Sequence, residues 1–281
     1  MERWGNRPCP RRGLRGCEWR GDRNGGDMNN LTRAVAGLLI ANIILFVAGL
    51  LLTGGDERLV VLGGLWYPAN PHFAPWQLVT HMFLHGGVGH IFFNMFALVS
   101  FGRILEREWG APRFLLFYFL CGVGAGLVQL GVSWQEFNAL HERLVAAGLA
   151  PAAISELLAT GRGVLPTDPA VKATLFDLYG VYASPMIGAS GAIYGVLVAF
   201  GFLYPNAKLA LMFVPVPVAA KYFIPGLLAL DLLAGVTGFS LFGASVAHFA
   251  HLGGALIGFL LMLLWRKRRA DPVMAEQSFR S

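Results

Sequence analysis

The sequence predicts an all-α, polytopic membrane protein built as a bundle of six transmembrane helices. Of its 281 residues, 56% are hydrophobic and only 14% are charged, whereas a soluble domain of this length carries roughly a quarter charged residues. The mean hydropathy is +0.57, and apolar runs of about twenty residues, long enough to span a hydrocarbon core of ~30 Å, recur along the chain. These runs cover 34–52, 88–105, 113–132, 187–204, 219–237 and 246–265.

The segments outside these spans differ in composition. The stretch 1–33 is rich in Arg and Gly, which predicts a disordered basic tail rather than a signal peptide, with Met28 as an alternative start. Residues 133–186 form a long insert, and 134–161 within it has the periodicity of one or two amphipathic helices. Residues 205–218 are apolar but contain three prolines, so they are predicted to be a connector at the membrane face.

Positive charge marks one side of the predicted membrane domain, 34–265. An even number of spans puts both termini on one side, and the basic tail, the loop after the second span and the basic run 266–269 fall there. The segment 53–87 on the other side has Arg58 as its only Lys or Arg. By the positive-inside rule both tails, 1–33 and 266–281, are cytoplasmic, and 133–186 is extracytoplasmic. The expected location is a cell membrane, of the bacterial inner-membrane type.

Three polar clusters interrupt otherwise apolar spans. His90 and Asn94 are four residues apart at the start of the second span, so they share one helix face. Ser190 begins the fourth span, and His248 and His251 lie at the start of the sixth. Polar side chains at this depth are costly unless they are paired or functional.

The topology predicts that these clusters meet. Spans two, four and six run in the same direction, so the polar residues at their starts lie at a similar depth near the outer surface. A serine beside a histidine base is the minimum for an activated nucleophile, and histidine and asparagine donors could stabilise an oxyanion. Asp231 is predicted to lie toward the inner end of span five, away from the cluster. The sequence therefore predicts a Ser–His dyad rather than a triad.

Small residues surround the predicted nucleophile. Gly188 and Gly191 flank Ser190 in the sequence, and both span four and span six contain pairs of glycines spaced four apart. Such spacing lets two helix backbones approach closely, and Tyr194, one turn from Ser190, could then pack against the partner imidazole. The glycine pairs are Gly191 with Gly195 and Gly254 with Gly258.

The three clusters resemble the signatures of rhomboid intramembrane serine proteases. The segments HGGVGHIFFNM, GASGAIYG and AHFAHLGGALIG occur in the order of that family and on the expected spans, and the resemblance covers roughly 34–265. It implies Ser190 as the nucleophile and His251 as the general base, selected over His248 by the family pattern His-aliphatic-small-Gly. It further implies that the side chains of His90 and Asn94 and the backbone N–H of Ser190 form the oxyanion hole.

The resemblance also implies supporting roles. Tyr194 corresponds to a tyrosine that stacks on the catalytic histidine, and Gly254 and Gly258 correspond to a helix-packing pair. The segment GRILE at 102–106 resembles a Gly-x-x-x-Glu motif at the inner end of span two. The loop motif Trp-Arg of many members is Trp76-Gln77 here, a change that concerns loop anchoring rather than catalysis.

Other interpretations of the same residues stay open. Buried histidines could relay protons in a transporter, and a rhomboid-like protein without catalysis could act as a binding factor, although such a protein would lack the serine or the histidine. His248 could be a core histidine or a partner behind His251, and His81 and His85 could structure the loop before span two. The Gly-x-Ser-x-Gly elbow of soluble hydrolases fits poorly, because it requires a strand before the serine.

The predicted activity is hydrolysis of a peptide bond in or beside a substrate's transmembrane helix, near the outer face. The expected partners are transmembrane protein substrates and membrane lipids, the latter contacted by the basic run 266–269. The net charge of +6 is attributed to topology, so no nucleic-acid partner is expected. The three cysteines show no metal-binding spacing, and neither a metal nor a cofactor is expected.

Overall fold

The computed structural model describes residues 31–52, 55–211, 214–238 and 247–267. Each of the six predicted spans is a helix. Within these described residues, five helices are long and apolar enough to cross a membrane, and the helix Ser190–Leu203 is a shorter apolar one. Residues 1–30, 239–246 and 268–281, which include most of both predicted tails, lie outside the described residues.

The prediction of a helical membrane bundle is confirmed, with a small two-stranded sheet and several short helices added between the spans. The elements, in chain order, are α1 (Arg33–Leu51), α2 (Gly55–Gly63), α3 (Gln77–Thr80), α4 (Val88–Ala97), α5 (Arg103–Trp109), α6 (Ala111–Ala146), α7 (Pro151–Thr160), α8 (Pro169–Ala183), α9 (Ser190–Leu203), β1 (Lys208–Leu211), β2 (Val214–Ala219), α10 (Ala220–Thr237) and α11 (His248–Lys267).

The second span is one continuous helical segment with an irregular centre. A π-helical turn at Leu98–Gly102 joins α4 to α5, and the whole segment from Val88 to Trp109 is apolar enough to cross a membrane. A Cβ on Gly102 would lie 3.1 Å from the Phe114 ring and 3.2 Å from Val35. The small residue therefore lets α1 and α6 pack closely against this turn.

Glu106, the acidic residue of the predicted Gly-x-x-x-Glu motif, caps the start of α1. Its carboxylate accepts hydrogen bonds at 2.9 Å from the backbone N–H groups of Ala34 and Val35, and at 2.5 Å from the Thr32 hydroxyl. The first N–H groups of a helix have no partners within it, and a negative charge is stabilised there. The carboxylate thus fixes α1 to the end of the second span.

Helices α9 and α11 are parallel and touch along their glycines. A Cβ on Gly254 would overlap the carbonyl oxygen of Gly191, and one on Gly258 would lie 2.8 Å from the Cα of Gly195. The residue numbers of the contacting glycines increase together along α9 and α11, so the two helices run in the same direction. We call this contact, formed by Gly191, Gly195, Gly254 and Gly258, the glycine seam.

The second span runs parallel to α9 as well. His90 lies against Gly188 just before α9, and the rings of Phe101 and Phe200, near the other ends of the two segments, have centroids 4.9 Å apart. Together with the glycine seam, these contacts bring the starts of α4, α9 and α11 to one end of the bundle, as the topology predicted.

The third span is longer than predicted and leads into a second core. Helix α6 has 36 residues, so the helix does not end at 132, and the amphipathic sequence after that residue continues the same helix. The end of α6, with α7 and α8, forms what we call the insert. Its buried side chains pack with Tyr67, from the segment before α3, in a hydrophobic cluster that further contains Leu140, Leu144, Ile154, Leu158, Leu175, Leu178 and Tyr182.

The proline-rich connector between α9 and α10 is a β-hairpin. Strands β1 and β2 pair antiparallel, with Lys208 opposite Ala219 and Leu211 opposite Val214. Extended backbone accommodates the prolines of this segment, which a helix interior would exclude. The prediction of a non-helical connector is therefore confirmed.

Candidate active site

The loop before the second span is anchored by a buried glutamine. Gln77 has no exposed surface; its side-chain oxygen accepts from the N–H of Ala74 at 3.1 Å and of Trp66 at 3.3 Å, and its amide donates to the His72 carbonyl at 2.7 Å. The departure from the Trp-Arg motif therefore leaves an anchored loop, held by neutral hydrogen bonds.

The same loop positions the segment that enters α9. The His81 carbonyl accepts from the Gly188 N–H at 2.8 Å, and an isolated β-bridge joins Leu65 to Met186. Gly188 has φ of 126°, a conformation that L side chains rarely adopt, so a glycine fits there without strain. The chain is thereby fixed two residues before Ser190.

Ser190 and His251 are in direct contact. Ser190 is the first residue of α9, His251 lies in the first turn of α11, and Ser190 Oγ is 2.7 Å from His251 Nε2. A serine hydroxyl within hydrogen-bond distance of an imidazole nitrogen is the arrangement that activates a nucleophile. The predicted pair is therefore brought together across the glycine seam, where no side chain separates the two backbones.

The ring of Tyr194 stacks on the ring of His251 and fixes its orientation. The two rings have centroids 4.2 Å apart and an interplanar angle of 11°, so they are stacked. Tyr194 lies one turn after Ser190 on the same face of α9, which places the hydroxyl and the stacking ring on the same side of the helix. The predicted packing of Tyr194 against the imidazole is confirmed.

Asp231 lies in the same cluster, so the prediction that it lies away from the site was wrong. Its Oδ1 is 3.2 Å from His251 Nδ1 and 2.6 Å from His248 Nδ1, and the Tyr194 hydroxyl donates to Oδ2. The expectation that no carboxylate lies at the depth of Ser190 fails with it. The misplacement came from the assumed depth: Asp231 is six residues before Thr237, where α10 ends, and that end faces the start of α11.

His90 borders the same space as the serine hydroxyl. A Cβ on Gly188 would lie 2.8 Å from His90 Nε2 and 3.7 Å from Ser190 Oγ, so both atoms face the volume that the glycine leaves free. His90 Nδ1 is 3.4 Å from the Gly86 N–H and accepts from it, which places the ring hydrogen on Nε2. His90 thereby presents a donor toward the approach to Ser190.

Asn94 lies one turn further along α4 and is buried. Its side-chain amide donates to the His90 carbonyl at 2.9 Å. This bond supports the turn that carries His90, and the role of Asn94 in an oxyanion hole stays a prediction. The backbone N–H of Ser190 is at the first position of α9, where helix N–H groups have no intrahelical partner.

His81 and His85 lie in the loop before α4 and are both buried. Burial lowers the pKa of His81 to about 4 and that of His85 to about 3, so both rings are neutral at pH 7. His81 Nδ1 is 2.7 Å from the Gln77 carbonyl and donates to it. The His85 ring packs edge-on against His90 at 5.0 Å. Both contacts agree with the predicted loop-structuring role.

One group of side chains in the described part of the chain could hold a metal ion. The ligand atoms of Asp231, His248 and His251 lie within 4.8 Å of one another. In the present arrangement both Nδ1 atoms are hydrogen-bonded to Asp231 Oδ1. The ligand atoms that would face a metal ion are thus engaged in hydrogen bonds with one another.

Comparison with known proteins identifies relatives across most of the chain. A Rhomboid domain model matches residues 72–161 and 169–268. RHOMBOID-like protein 12, mitochondrial, of Arabidopsis thaliana is 32% identical over 192 residues, which are 68% of this chain and 47% of that protein. Rhomboid protein 1, mitochondrial, of Saccharomyces cerevisiae is 28% identical over 184 residues, or 66% of this chain and 40% of that protein.

A human relative matches a longer stretch. Presenilin-associated rhomboid-like protein, mitochondrial, of Homo sapiens is 27% identical over 253 residues, which are 85% of this chain and 52% of that protein. The chain thus spans about half the length of the curated relatives it matches. The matched regions contain the loop at Gln77 and the helices that carry His90, Ser190 and His251.

Proposed function

The chain belongs to the rhomboid family, and we propose that it is a serine endopeptidase that cleaves transmembrane segments of membrane-protein substrates near the extracytoplasmic face. The observation that carries this proposal is the 2.7 Å separation of Ser190 Oγ and His251 Nε2. A hydroxyl becomes a useful nucleophile when a base stands within hydrogen-bond reach of it. The stacked ring of Tyr194 supports the proposal, because it holds that base in plane.

In the proposed reaction, Ser190 and His251 perform the covalent chemistry. Ser190 Oγ attacks the carbonyl carbon of the scissile peptide bond while His251 Nε2 takes the hydroxyl proton. The same nitrogen returns the proton to the leaving amine as the C–N bond breaks, which leaves an acyl-enzyme ester on Ser190. A water molecule, deprotonated by His251, then hydrolyses the ester and restores the hydroxyl. This reaction uses no metal or cofactor.

The oxyanion of the tetrahedral intermediate would form beside Gly188. His90 Nε2 and the Ser190 backbone N–H provide donors on that side, and the start of α9 contributes the positive end of the helix dipole. Asn94 is proposed as a further donor after its amide turns away from the His90 carbonyl. Fixed donors of this kind are worth about 10²–10³ in rate each.

The short length of α9 supports access of water to Ser190. A helix of 14 residues is about 21 Å long at 1.5 Å per residue, which is less than the ~30 Å of a hydrocarbon core. With its other end at the inner boundary, Ser190 would lie below the outer boundary. We propose that water enters from that side, past residues 81–90 and the loop 238–245, of which 239–245 lies outside the described residues.

The family resemblance suggests substrates of a particular kind. They would be membrane proteins whose transmembrane helices unwind readily and offer a small residue at the scissile bond.

The chain is a multi-pass membrane protein, and we propose that both termini are cytoplasmic. The sequence favours a bacterial cell membrane, whereas the three relatives carry mitochondrial names. Localisation of the tagged chain in its own cell decides between the two membranes.

The proposal is tested by cleavage in liposomes. We expect the full chain to cleave a model transmembrane substrate, and Ser190→Ala or His251→Ala to lower the rate by at least about 10³-fold with thermal stability unchanged. Ser155→Ala, a matched change on the exposed face of α7, should keep the rate. His248→Ala should keep part of the activity. Equal cleavage by the wild type and Ser190→Ala would refute the proposal.

A proton relay is a second candidate, favoured by one observation. Asp231, His248, His251 and Tyr194 form a partly buried hydrogen-bonded chain, and such chains carry protons in pumps and transporters. Proton-driven transport in the same liposomes, retained by Ser190→Ala and lost in Asp231→Asn, would favour this function. Ser190 has no task in a relay, whereas it is indispensable to a protease.

A further inference from the structure

Asp231 is a carboxylate in an apolar helix, and its position requires an explanation. It is 7% exposed, and its neighbours in α10 are LAL before it and LLAGV after it. An ionised carboxylate in such a place is costly unless it is paired and hydrogen-bonded. Its partners should therefore indicate what it does.

The hydrogen-bond partners of Asp231 all belong to the catalytic cluster. Oδ1 accepts from Nδ1 of His251 and of His248, and Oδ2 accepts from the hydroxyl of Tyr194. These contacts connect α10 to both helices of the glycine seam. None of these hydrogen bonds involves a backbone group at either end of α10, so they do not cap that helix.

The bond to His251 determines which ring nitrogen is protonated. A neutral imidazole has one N–H and one acceptor nitrogen, and a carboxylate accepts hydrogen bonds only. The hydrogen of His251 must therefore lie on Nδ1, which leaves Nε2 unprotonated and facing Ser190 Oγ. That is the tautomer that can take the serine proton.

We propose that Asp231 is a positioning residue of the active site, which holds His251 in the tautomer and orientation that accept the proton of Ser190. This inference rests on the proposed function and extends it from a pair to three residues, with Asp231 behind His251. When Nε2 takes the proton, the imidazolium that forms stands beside the carboxylate and is stabilised by it.

His248 and Tyr194 act on the carboxylate itself. They occupy Oδ1 and Oδ2 from two different helices, so the carboxylate is braced against rotation about its own bonds. The other groups that face His251 are Ser190 at Nε2 and His90, which interacts with it electrostatically. Of these side chains, Asp231 is the acidic one.

The kinetic test uses an isosteric variant of the full chain in liposomes. Asp231→Asn keeps the volume but replaces one acceptor oxygen with a donor. We expect kcat to fall by on the order of 10³-fold, as expected for a histidine held in the wrong tautomer, while KM changes less than about threefold. Asp177→Asn, the same change at an exposed position of α8, should leave both constants unchanged. A fall in kcat below about threefold would overturn the proposal.

The tautomer can also be measured directly and without cleavage. In wild-type chain labelled with ¹⁵N-histidine, the His251 resonances, assigned by comparison with His251→Gln, should show a protonated Nδ1 and an unprotonated Nε2. In Asp231→Asn the hydrogen should move to Nε2, whereas in His248→Phe it should stay on Nδ1 and at least about a tenth of kcat should remain. A wild-type His251 with its hydrogen on Nε2 would contradict the proposal, even if Asp231→Asn failed to fold.

The two measurements separate the two proposals. If the wild type cleaves no substrate but shows the expected tautomer, the protease function fails and the positioning by Asp231 stands. If cleavage depends on Ser190 but not on Asp231, the protease function stands alone. Addition of a chelator should change neither rate nor tautomer, and a change in either would indicate that the Asp231, His248 and His251 cluster holds a metal.

Discussion

The glycine seam and the insert hold helices together by opposite means. In the seam, α9 and α11 approach until a Cβ on Gly254 would overlap the Gly191 carbonyl, so the contact is backbone against backbone. In the insert, α6, α7 and α8 are kept apart by buried leucines and tyrosines. Ser190 Oγ and His251 Nε2 lie 2.7 Å apart across the seam, and such a contact requires that no side chain stand between the two helices.

The two regions also differ in what surrounds them. The insert resembles the core of a soluble protein, because its leucines are buried by one another. The helices of the seam carry an outer apolar belt, with residues such as Leu256 and Leu264 more than half exposed, which suits an apolar surrounding and not water. Apolar burial therefore accounts for the stability of the insert, whereas close packing without a water-driven hydrophobic term accounts for the seam.

Among the changes that test this comparison, the largest expected effect comes from adding one methyl group to the seam. In Gly254→Ala the new Cβ meets the backbone of Gly191, which cannot turn aside as a side chain can. The helices must separate, so we expect cleavage to fall by at least about 100-fold, since a 1 Å misplacement can cost that much. Cleavage and thermal unfolding in detergent measure the effect.

The matched control for this change is Gly131→Ala. Gly131 lies within α6, and a Cβ there would have no neighbour within 4 Å, so activity should persist and stability should not fall. If both variants cleave equally well, the seam does not set the distance between Ser190 and His251.

A smaller and more local effect is expected in the insert. Leu144 is fully buried, so Leu144→Ala should cost about 2–5 kcal/mol, in the upper half of that range if the cavity does not collapse. We expect hydrogen exchange in α7 and α8 to rise while cleavage stays within about threefold of wild type, because the leucine core includes neither Ser190 nor His251.

Val145→Ala provides the control for Leu144→Ala. Val145 is the next residue on α6 and is exposed, so its truncation should change neither exchange nor cleavage. Loss of cleavage in Leu144→Ala in proportion to the loss of stability would show that the insert and the seam form one cooperative unit.

The smallest expected effect concerns the loop between the two regions. Burial lowers the pKa of His81 from 6.5 to about 4, so the unfolded chain binds a proton there at a higher pH than the folded chain does. The stability from the neutral ring is complete above about pH 6.5 and is lost as the pH falls toward 4. The loss is at most about 3 kcal/mol.

Thermal unfolding between pH 4 and pH 8 measures this dependence. His81→Gln should flatten the fall in stability at acid pH, whereas His141→Gln, at a partly exposed ring of the insert, should keep the wild-type slope. An unchanged slope in His81→Gln would mean that His81 is not the group whose protonation weakens the loop.

Much of the site could be predicted because its residues lie at the starts of spans. The depth of a residue at the start of a span follows from the topology alone, which is why Ser190, His251 and His90 were placed correctly. Asp231 lies within a span, and its depth depends on where the helix ends. The depth of Asp231 follows when it is counted back from the end of α10. It lies six residues before Thr237, which is about 9 Å at 1.5 Å per residue and close to the level of the histidines.

The fold was predictable where composition changes abruptly and not where it changes gradually. Pro205 stands two residues after Leu203, where α9 ends, and an antiparallel pair of strands follows. After residue 132 the sequence turns from apolar to amphipathic without a glycine or proline until Gly148, so nothing local stops α6 at the membrane boundary. Helix α8 was not predicted separately within the insert, although Asp168 caps its first N–H groups.

The glycine seam has a consequence for how this chain can change over evolutionary time. Lipid-facing positions such as Leu230 and Leu233 on α10 are more than half exposed and can exchange among apolar residues without moving the helices. The seam positions have no such freedom. A Cβ on Gly254 or Gly258 would meet the backbone of α9, and one on Gly191 or Gly195 would lie 2.5 Å or less from a side chain of α6. The steric constraint therefore falls on four positions of the chain and not on its overall composition, so a distant sequence can build this contact only if it keeps small residues there.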